Sequence, residues 1–467
     1  MQTYWDAIVI GTGPAGLSFA AKAADLGLDI LAVDEQPAPG GQIYRNIENH
    51  PPDSLESMGA DYRYGLSLIQ KFRSSRAVYL PDTTAWKIEP DGRLCCSTNG
   101  RSVELKAKRI VIAIGAMERP VPFPGWTLPG VIGAGAADTL YKSSGIVPKG
   151  PVVMVGNGPL MFSTAVHLDA LGVDISHFIE TASRFSMLRA LPHLPPALAK
   201  PGYLFKGLSM MLKARAVPEI KVRNVTKYAG IGTRRIEHLS FTHGRGKETV
   251  KTDTVLVHEG VIPRSEFARQ LGLSLCWNPV QRYWYPRVDP YGRTSEDHIY
   301  ITGDNSFVHG AAAAEKKGWL TAIDIAADLT RMPHGEKQGM AAPVLKSLNR
   351  ELSPRPFVDA AYRPRSALYD VDDNTLVCRC EEVTAQQIRS AVIQGMKTPE
   401  TVKSLTRCGM GPCQSRMCGS GLAEIIAEET GQMMPQLTPV TIRPPVRNLS
   451  IGELTQMELI KDVKNFT

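Results

Sequence analysis

The chain has 467 residues, about three times the length of a typical domain, which predicts two or three domains with separate cores. Its hydrophobic share of 43% and charged share of 21% exclude a disordered or fibrous protein. The net charge of +7 is too small for this length to indicate a nucleic-acid partner, although residues 181–250 hold 13 Lys or Arg against 3 Asp or Glu. That basic segment is either a solvated face or a docking surface for a partner subunit, an anionic cofactor or a membrane.

The eight cysteines do not follow the pattern of a secreted disulfide framework, because five of them fall between residues 378 and 418. Residues 5–10 enter a strand directly, and no uncharged apolar run approaches about 18 residues, so neither a signal peptide nor a membrane span is expected. We therefore expect a reducing, cytoplasmic location. Peripheral association with the inner membrane stays open.

The first predicted elements are a strand, a glycine-rich turn and a helix in the order that binds a dinucleotide. Gly11 permits the tight turn, Gly13 lets the backbone meet a pyrophosphate, and Gly16 lets helix and strand pack closely. Pro14 and Ala15 begin the helix, whose N–H groups point toward the phosphates. The complete GxGxxG turn in this context predicts a dinucleotide site.

Two acidic residues end the second predicted strand. Asp34 and Glu35 follow Gly11 by 23 and 24 residues, where one carboxylate can accept hydrogen bonds from an adenosine ribose. Apolar β-branched runs then alternate with Ala-rich helical stretches through about residue 330, which is typical of parallel sheets with crossover helices. The fold class is therefore α/β.

A second strand-to-helix turn follows 145 residues after the first. It contains Gly156 and Gly158, but Met161 occupies the third glycine position and should hold the helix farther from the strand. Glu180 can hold a ribose hydroxyl, and Arg184 is near enough to leave a 2′-phosphate open. Three interpretations remain: a nicotinamide site for NAD(P), a site for another adenine nucleotide, and a vestigial structural module.

The cysteines of the first 330 residues argue against thiol–disulfide chemistry. Cys95, Cys96 and Cys276 form no redox Cys-x-x-Cys, and the adjacent pair fits core packing in a strand. The histidines (His167, His177, His193, His258 and His309) have no carboxylate at a spacing that identifies a catalytic role. The catalytic residues are therefore left unknown.

Four of the later cysteines have the spacing C-x-C-x27-C-x4-C, formed by Cys378, Cys380, Cys408 and Cys413. Four thiolates at this spacing can ligate a [2Fe–2S] cluster, with a tetrathiolate zinc site as the alternative. Cys418 is expected to be a neighbour rather than a ligand. The spacing resembles the bacterioferritin-associated ferredoxin type of [2Fe–2S] domain rather than a zinc knuckle.

Several short segments resemble the flavin-contact segments of two-dinucleotide-domain flavoproteins of the glutathione-reductase type. This resemblance implies FAD as the first cofactor and two Rossmann-like dinucleotide-binding domains, followed here by a small C-terminal [2Fe–2S] domain. It also places the carboxylate of Asp304 on the ribityl chain. The residues that carry it are Gly40, Gly41, Gln42, Ala113, Gly115, Gly303, Asp304 and Ala313.

These motifs divide the chain into predicted domains. Residues 1–118 and 250–330 form a discontinuous FAD-binding domain, and 119–249 an inserted nucleotide-binding-like domain. Residues 331–370 are a linker or irregular wrap, and 371–433 the [2Fe–2S] domain. The proline-interrupted tail 434–467 either docks a subunit or is disordered, with a helix expected from Glu453 to Val463.

Further segments (residues 115–126, 258–263 and 407–414) narrow the resemblance to the alpha-type flavin subunits of heteromeric amino-acid and opine dehydrogenases. That family includes octopine and nopaline oxidases, D-hydroxyproline and dye-linked L-proline dehydrogenases, and the hydrogen cyanide synthase flavin subunit. The resemblance implies an amino-acid-oxidase-like FAD subunit (beta) as partner, often FMN at the subunit interface, and a quinone or other electron acceptor; a small third subunit stays open.

The resemblance therefore implies an electron-transfer subunit of a complex that oxidises a C–N bond of an opine or amino acid. The alternative is a stand-alone NAD(P)H-dependent flavin and iron–sulfur reductase that uses the second nucleotide module. A cluster-based redox sensor or assembly scaffold is the non-enzymatic alternative.

Overall fold

The computed structural model describes residues 4–51, 55, 58–183, 185–218, 220–244, 246–456 and 458–459. In chain order the strands are β1 (Trp5–Ile10), β2 (Ile30–Val33), β3 (Val78–Leu80), β4 (Thr83–Ile88), β5 (Arg93–Thr98), β6 (Arg101–Ile112), β7 (Ala116–Glu118), β8 (Val131–Gly133), β9 (Val152–Gly156), β10 (Ile175–Glu180), β11 (Ile220–Arg223), β12 (Val225–Ile231), β13 (His238–His243), β14 (Gly246–Lys251), β15 (Thr254–His258), β16 (Val261–Pro263), β17 (Leu275–Asn278), β18 (Tyr283–Pro286), β19 (Ile299–Ile301), β20 (Leu376–Cys378), β21 (Val383–Thr384) and β22 (Glu458–Leu459).

The α-helices in chain order are α1 (Pro14–Asp25), α2 (Ala60–Ser74), α3 (Ala134–Ser144), α4 (Pro159–Ala170), α5 (Ser186–Ala190), α6 (Leu194–Ala197), α7 (Pro201–Ala216), α8 (Glu266–Gln270), α9 (Ala311–Thr330), α10 (His334–Leu352), α11 (Arg355–Ala361), α12 (Ala385–Ile393), α13 (Pro399–Thr406), α14 (Gly419–Thr430) and α15 (Ile451–Thr455). Short 3₁₀ turns lie at Ile47–Asn49, Leu191–His193, Gly303–Asn305, Ser366–Tyr369 and Met434–Gln436.

The first sheet has eight strands, in the order β3-β2-β1-β6-β5-β4, with β19 and β22 also pairing with β6. Strands β1, β2, β6 and β19 run parallel, and their buried apolar runs fit a sheet covered on both faces. Helix α1 packs against α9, where a Cβ on Gly318 would lie 2.2 Å from the Ala15 carbonyl oxygen. Glycine is therefore required for this close contact between α1 and α9, which lies beside the first nucleotide turn.

The second sheet has five parallel strands, in the order β11-β10-β9-β15-β8. Strand β15 (Thr254–His258) pairs with β9, whereas the predicted boundary at residue 250 put this segment in the FAD-binding domain. The boundary is corrected to the antiparallel pair β7 and β16, which joins the two domains. A buried apolar run reads the same in either sheet, so sequence pattern did not separate the two placements.

Residues 331–370, expected to be an irregular linker, are largely helical. Helix α10 buries Ala341, Val344 and Leu348, which lie three and four residues apart and pack with Leu320 and Ile323 of α9. Scattered prolines suggested a linker, but Pro343 lies inside α10. Packing of the apolar stripe on α9 offsets the backbone hydrogen bond that this proline lacks.

The cysteine-bearing segment has a core of its own. Strands β20 and β21 and helices α12, α13 and α14 enclose it, and capping boxes at Thr384 and Thr398 start α12 and α13. Leu437 and Val440 of the tail complete this core. The small C-terminal domain is therefore built around the cysteines and extends past residue 433.

The tail continues onto the FAD-binding domain rather than projecting from it. Ile442 and Val446 are buried in the core of the first sheet, and the Val446 N–H donates to the Trp86 carbonyl at 2.8 Å. The helix expected from Glu453 to Val463 is the shorter α15, because β22 follows it; residues 460–467 lie outside the described residues. The described tail thus joins two domains of its own chain.

Candidate functional site

A cavity of about 710 Å³ opens at the carboxyl ends of the first sheet. Gly11 in the turn adopts a φ of +96°, and a Cβ there would lie 2.7 Å from the Ala113 carbonyl oxygen. A Cβ on Gly16 would lie 1.9 Å from the Gly11 carbonyl oxygen. Both glycines are therefore needed to bring the start of α1 against the turn, where its N–H groups face the cavity.

The predicted site residues divide into cavity-lining and packing positions. Gly40, Gly16 and Gly303 make close contacts with other parts of the wall, since an added Cβ would clash within 2.6 Å at each. Ala313 packs into the core beside Leu320. The predicted residues that line the cavity are Gly11, Gly13, Pro14, Ala15, Asp34, Glu35, Gly41, Gln42, Ala113, Gly115 and Asp304.

The two acidic residues after β2 have different environments. The Asp34 carboxylate accepts hydrogen bonds from the Thr12 N–H at 2.6 Å, the Thr12 hydroxyl at 2.7 Å and the Gln36 N–H at 2.9 Å. Burial nevertheless raises the pKa of Asp34. Glu35 is exposed on the cavity wall, within 3.9 Å of Arg264 and 3.6 Å of Arg447. Asp34 therefore braces the turn, whereas Glu35 is exposed in the cavity beside two arginines.

Asp304 also lines the cavity, from the 3₁₀ turn that precedes α9. Its Oδ1 accepts hydrogen bonds from the backbone N–H groups of His309 at 2.9 Å and Gly310 at 3.0 Å. These bonds fix the carboxylate while it faces the cavity. Nearby Lys317 is buried, and this burial lowers its pKa to about 8. The arrangement can accept a hydrogen bond from a ligand hydroxyl.

The second nucleotide turn is arranged differently. Both carboxylate oxygens of Glu180 accept hydrogen bonds from Arg215 at 2.7 Å, so the expected ribose acceptor already has a partner. A Cβ on Gly156 would lie 1.8 Å from the His258 carbonyl oxygen, and Gly158 lies against the His258 ring. The glycines of this turn therefore pack against β15. Arg184 lies outside the described residues.

The chain also covers part of the edge where this second module would hold a nucleotide. After α11, the Tyr362 ring packs 5.9 Å from the Phe162 ring, and the Asn157 amide donates to the Arg363 carbonyl at 3.4 Å. Arg365 lies 3.7 Å from Glu259. Ligands of open parallel sheets bind at the carboxyl ends of the strands, and this segment lies there.

The cysteine site gathers residues from three separate places in the sequence. The sulfur atoms of Cys378, Cys408 and Cys418 lie within 4.8 Å of one another, and all three residues are buried. Hydrogen bonds from the Cys408 and Cys418 thiols lower the pKa of Cys378 to about 2. Cys418 was expected to stand beside the site, but the structure brings its sulfur into the group.

Cys380 and Cys413 form a second contact next to these three sulfurs. The two side chains are in hydrogen-bond contact, and Gly411 lies so close to Cys380 that a Cβ would come within 2.3 Å of the Cys380 Cβ. Five thiols therefore converge where a [2Fe–2S] cluster needs four. The donor set suits such a cluster, and the cavity with its glycine turn suits a dinucleotide.

An acid–base pair between a partly exposed glutamate and a buried histidine was not predicted from the sequence. Glu118 lines the cavity, and its Oε1 lies 2.7 Å from Nδ1 of His258, whose side chain is buried. His167 likewise has a carboxylate partner, with its Nδ1 2.5 Å from Oδ1 of Asp138. Glu118 and His258 lie 140 residues apart, at the ends of β7 and β15, so no local spacing indicated the pair. Such a pair can hold or move a proton at the cavity wall.

Comparison with known proteins is consistent with both sites. Residues 5–322 match the pyridine nucleotide-disulphide oxidoreductase family, and residues 376–428 match the BFD-like [2Fe-2S] binding domain. The two matched families imply a flavin, FAD, and a [2Fe–2S] cluster. The class is therefore an oxidoreductase that combines a two-dinucleotide-domain flavoprotein body with an iron–sulfur domain.

Curated relatives narrow this class. The opine oxidase A-type subunit of Agrobacterium tumefaciens (strain Ach5) is 36% identical, with 98% of this chain and 92% of that protein covered. Its counterpart in Rhizobium meliloti (strain 1021) is 37% identical, with 98% and 99% covered. Hydrogen cyanide synthase subunit HcnB of Pseudomonas aeruginosa is 29% identical, with 91% and 93% covered. The chain belongs to the family of opine oxidase A-type subunits.

A solved structure shares nearly the whole fold. L-proline dehydrogenase from P. horikoshii superposes on 97% of this chain and 79% of that chain, with a TM-score of 0.72 at 19% sequence identity. This likeness includes the cysteine-bearing domain, since it covers almost all of the present chain. The predicted α/β fold class is confirmed, and so is the predicted resemblance to the flavin subunits of heteromeric opine and amino-acid dehydrogenases.

Proposed function

We propose that this chain is the FAD- and [2Fe–2S]-containing electron-transfer subunit of a heteromeric oxidase or dehydrogenase that acts on a C–N bond. The proposal rests on the observation that the two sites share residues in their walls. Met117 and Arg264 line the nucleotide cavity and also a small cavity that reaches Ser415 and Arg416 in the cysteine domain. Electron transfer requires such proximity, and the named relatives are subunits of oxidases.

Within the nucleotide cavity, the glycine turn and the N-terminus of α1 would hold the pyrophosphate of FAD, and Glu35 the adenosine ribose. Asp304 would accept from the ribityl chain. When bound, FAD supplies two-electron chemistry and can exchange single electrons with an iron–sulfur centre. The pair of Glu118 and His258 would hold a proton at the cavity wall.

For the cluster, we propose that Cys380, Cys413 and two of the three buried thiols would be the ligands. The ligand set predicted from the spacing contains Cys408. Cys418 occupies an equivalent place beside Cys378, so one thiol of the group is supernumerary.

We propose an opine of the octopine or nopaline class as substrate, because relatives that are 36% and 37% identical are named opine oxidases. The substrate would lose a hydride to an amino-acid-oxidase-like partner subunit, giving an imine that water hydrolyses. FMN at the subunit interface and a quinone or other acceptor complete this proposal by analogy with the family. None of the helices in the described part of the chain is long and apolar enough to cross a bilayer.

Association with a partner is supported by an exposed apolar segment, residues 188–212. The Phe205 side chain is 77% exposed and that of Leu188 60%, whereas monomeric proteins rarely expose large apolar groups together. The sequence from 181 to 218 contains no Asp or Glu. A partner surface that is apolar and edged with acidic side chains would complement it.

We propose that the second nucleotide module is structural in this chain. The pairing of Glu180 with Arg215 and the contacts of Tyr362 and Arg363 support this proposal. A stand-alone NAD(P)H reductase would instead need an available ribose acceptor at this edge.

Anaerobic reduction distinguishes the two functions. We expect the flavin of the purified chain to keep its colour with NADH or NADPH and to bleach when the co-expressed partner subunit is supplied together with an opine. Rapid bleaching by NADH or NADPH alone would establish the reductase instead. If the purified chain contained zinc in place of iron and labile sulfide, the proposed [2Fe–2S] cluster would be refuted.

A further inference from the structure

Helix α8 connects the two redox sites. Arg264, just before it, and Phe267 within it line the nucleotide cavity, while Arg269 near its end contacts the cysteine domain. One short segment of the FAD-binding domain therefore touches both proposed cofactors. The proposed function gives no role to Arg269.

The hydrogen bonds of Arg269 hold the loop between two cysteines. Its Nη2 donates to the Ser415 hydroxyl at 2.6 Å, and its Nε donates to the Val440 carbonyl at 2.9 Å. Ser415 is buried between Cys413 and Cys418 and has a φ of +58°, and the preceding Gln414 has a φ of +50°. Two successive left-handed non-glycine residues are strained, so an external contact is needed to keep this loop in place.

Arg269 has no carboxylate partner of its own among the residues that the structure describes. Its bonds go to a hydroxyl and a carbonyl, while nearby Glu266 is paired with Arg264 and Arg447. Burial lowers the pKa of Arg269 to about 10, so the side chain is charged at neutral pH. An enclosed guanidinium without a paired anion is costly. Glu266 and Glu400 act on Arg269 but are paired with other cations, and the cysteine site also lies within electrostatic reach, through Cys418.

We infer that Arg269 is a positioning residue for the iron–sulfur centre: it holds the Cys413–Cys418 loop, and its positive charge raises the reduction potential of the cluster. This inference rests on the proposed function. A [2Fe–2S] centre held by four thiolates carries a charge of about −2 when oxidised and about −3 when reduced, so a nearby cation stabilises the reduced form more. One electron enters the cluster, and no bond or proton needs to change.

The test is a redox titration of the cluster, followed by electron paramagnetic resonance, in the full chain. Arg269→Gln removes the charge and keeps an amide donor, whereas Arg269→Lys keeps the charge. We expect the equilibrium constant for cluster reduction to fall at least tenfold in the Gln variant, about 59 mV for a one-electron couple, and much less in the Lys variant. Iron and labile sulfide per chain should stay unchanged.

Two control variants separate charge from loop position. Ser415→Ala removes the loop hydrogen bond and leaves Arg269 charged, so its potential should stay near that of the unmodified chain. Arg379→Gln removes an exposed arginine between Cys378 and Cys380, where solvent screens the charge, and its shift should be smaller than that of Arg269→Gln.

An Arg269→Gln variant with a full cluster and an unchanged potential would overturn the inference. Equal shifts in Arg269→Gln and Ser415→Ala would also overturn it, because loop position would then explain both. If Arg269→Gln assembles no cluster, the Arg269→Lys variant decides. A native reduction potential in that variant supports the role of charge, and a tenfold fall in its equilibrium constant for cluster reduction contradicts that role. A native chain without iron and sulfide would instead refute the proposed function.

Discussion

Single residues in the nucleotide cavity have roles that their sequence neighbours do not reveal. Asp34 and Glu35 are adjacent and both acidic. The Asp34 carboxylate accepts hydrogen bonds from Thr12 and Gln36, whereas the Glu35 carboxylate is exposed in the cavity. The side chains of successive residues at a strand end point to opposite sides, so the Asp34 carboxylate turns toward the glycine turn and that of Glu35 does not. Removal of the charge at Asp34 and removal of the charge at Glu35 should therefore have different effects on FAD affinity and on stability.

We predict that Glu35→Gln weakens retention of FAD by about tenfold or more, because a charged hydrogen bond to a ribose contributes about 1.5–3 kcal/mol. Fluorescence titration of the apoprotein with FAD measures this affinity, and thermal unfolding of the apoprotein should be nearly unchanged. Asp34→Asn should instead lower the unfolding temperature of the apoprotein, since it disturbs the bonds to Thr12. The opposite pattern would make Asp34 the ribose acceptor.

The cysteine group also yields a prediction at single residues. Replacement of Cys378, Cys380 or Cys413 by Ser should abolish the cluster, measured as iron and labile sulfide per chain. Of Cys408 and Cys418, only one should be required, because both sulfurs lie beside Cys378 and four thiolates complete the centre. The prediction fails if both are required or if neither is.

At the scale of elements, local pattern identified those that pack through their own immediate neighbours. The strand–turn–helix of residues 5–25 has the predicted form because Gly11 and Gly16 act within a single turn. Strand β15 was misassigned because it depends on a distant partner, β9. Helix α10 was missed because its proline and polar residues obscured the apolar stripe that packs on α9. The tail shows the same dependence, since its buried residues pack with cores several hundred positions earlier in the chain.

The tail gives a prediction about stability. Ile442→Ala should lower the free energy of unfolding by about 2–5 kcal/mol, because it leaves a cavity in the core of the first sheet. Ile451→Ala is the matched control: this side chain is 82% exposed and its loss should change stability by less than about 0.5 kcal/mol. Denaturant unfolding followed by fluorescence measures both. Equal effects would mean that the tail does not pack as described.

For the whole molecule, the domains are connected so that the cysteine site meets the nucleotide cavity. Arg282 pairs with Glu424 at 2.6 Å, the Trp126 N–H donates to the Leu376 carbonyl at 2.7 Å, and Arg269 reaches Ser415. These contacts join three parts of the sequence around one cleft. This internal packing leaves the apolar segment 188–212 uncovered.

We predict that the double variant Phe205→Asp, Leu208→Asp loses co-purification with the partner subunit but keeps its flavin and cluster. Two charges placed on an apolar interface remain unpaired when it closes, so association should weaken strongly. Ile393→Asp, at an 82% exposed side chain of the cysteine domain, is the control and should leave the complex intact. Partner binding by the double variant at the native level would place the docking surface elsewhere.

The sequence by itself determined the α/β class, the first dinucleotide turn and the collection of cysteines, because each depends on residue types at short spacing. Tertiary structure decided which acid is hydrogen-bonded to the glycine turn, that Cys418 joins the cysteine group, that Glu180 pairs with Arg215, and that Glu118 meets His258. These are contacts between residues that lie far apart in the chain or whose side-chain direction depends on packing. They become defined only when the sheets and helices bring those side chains together.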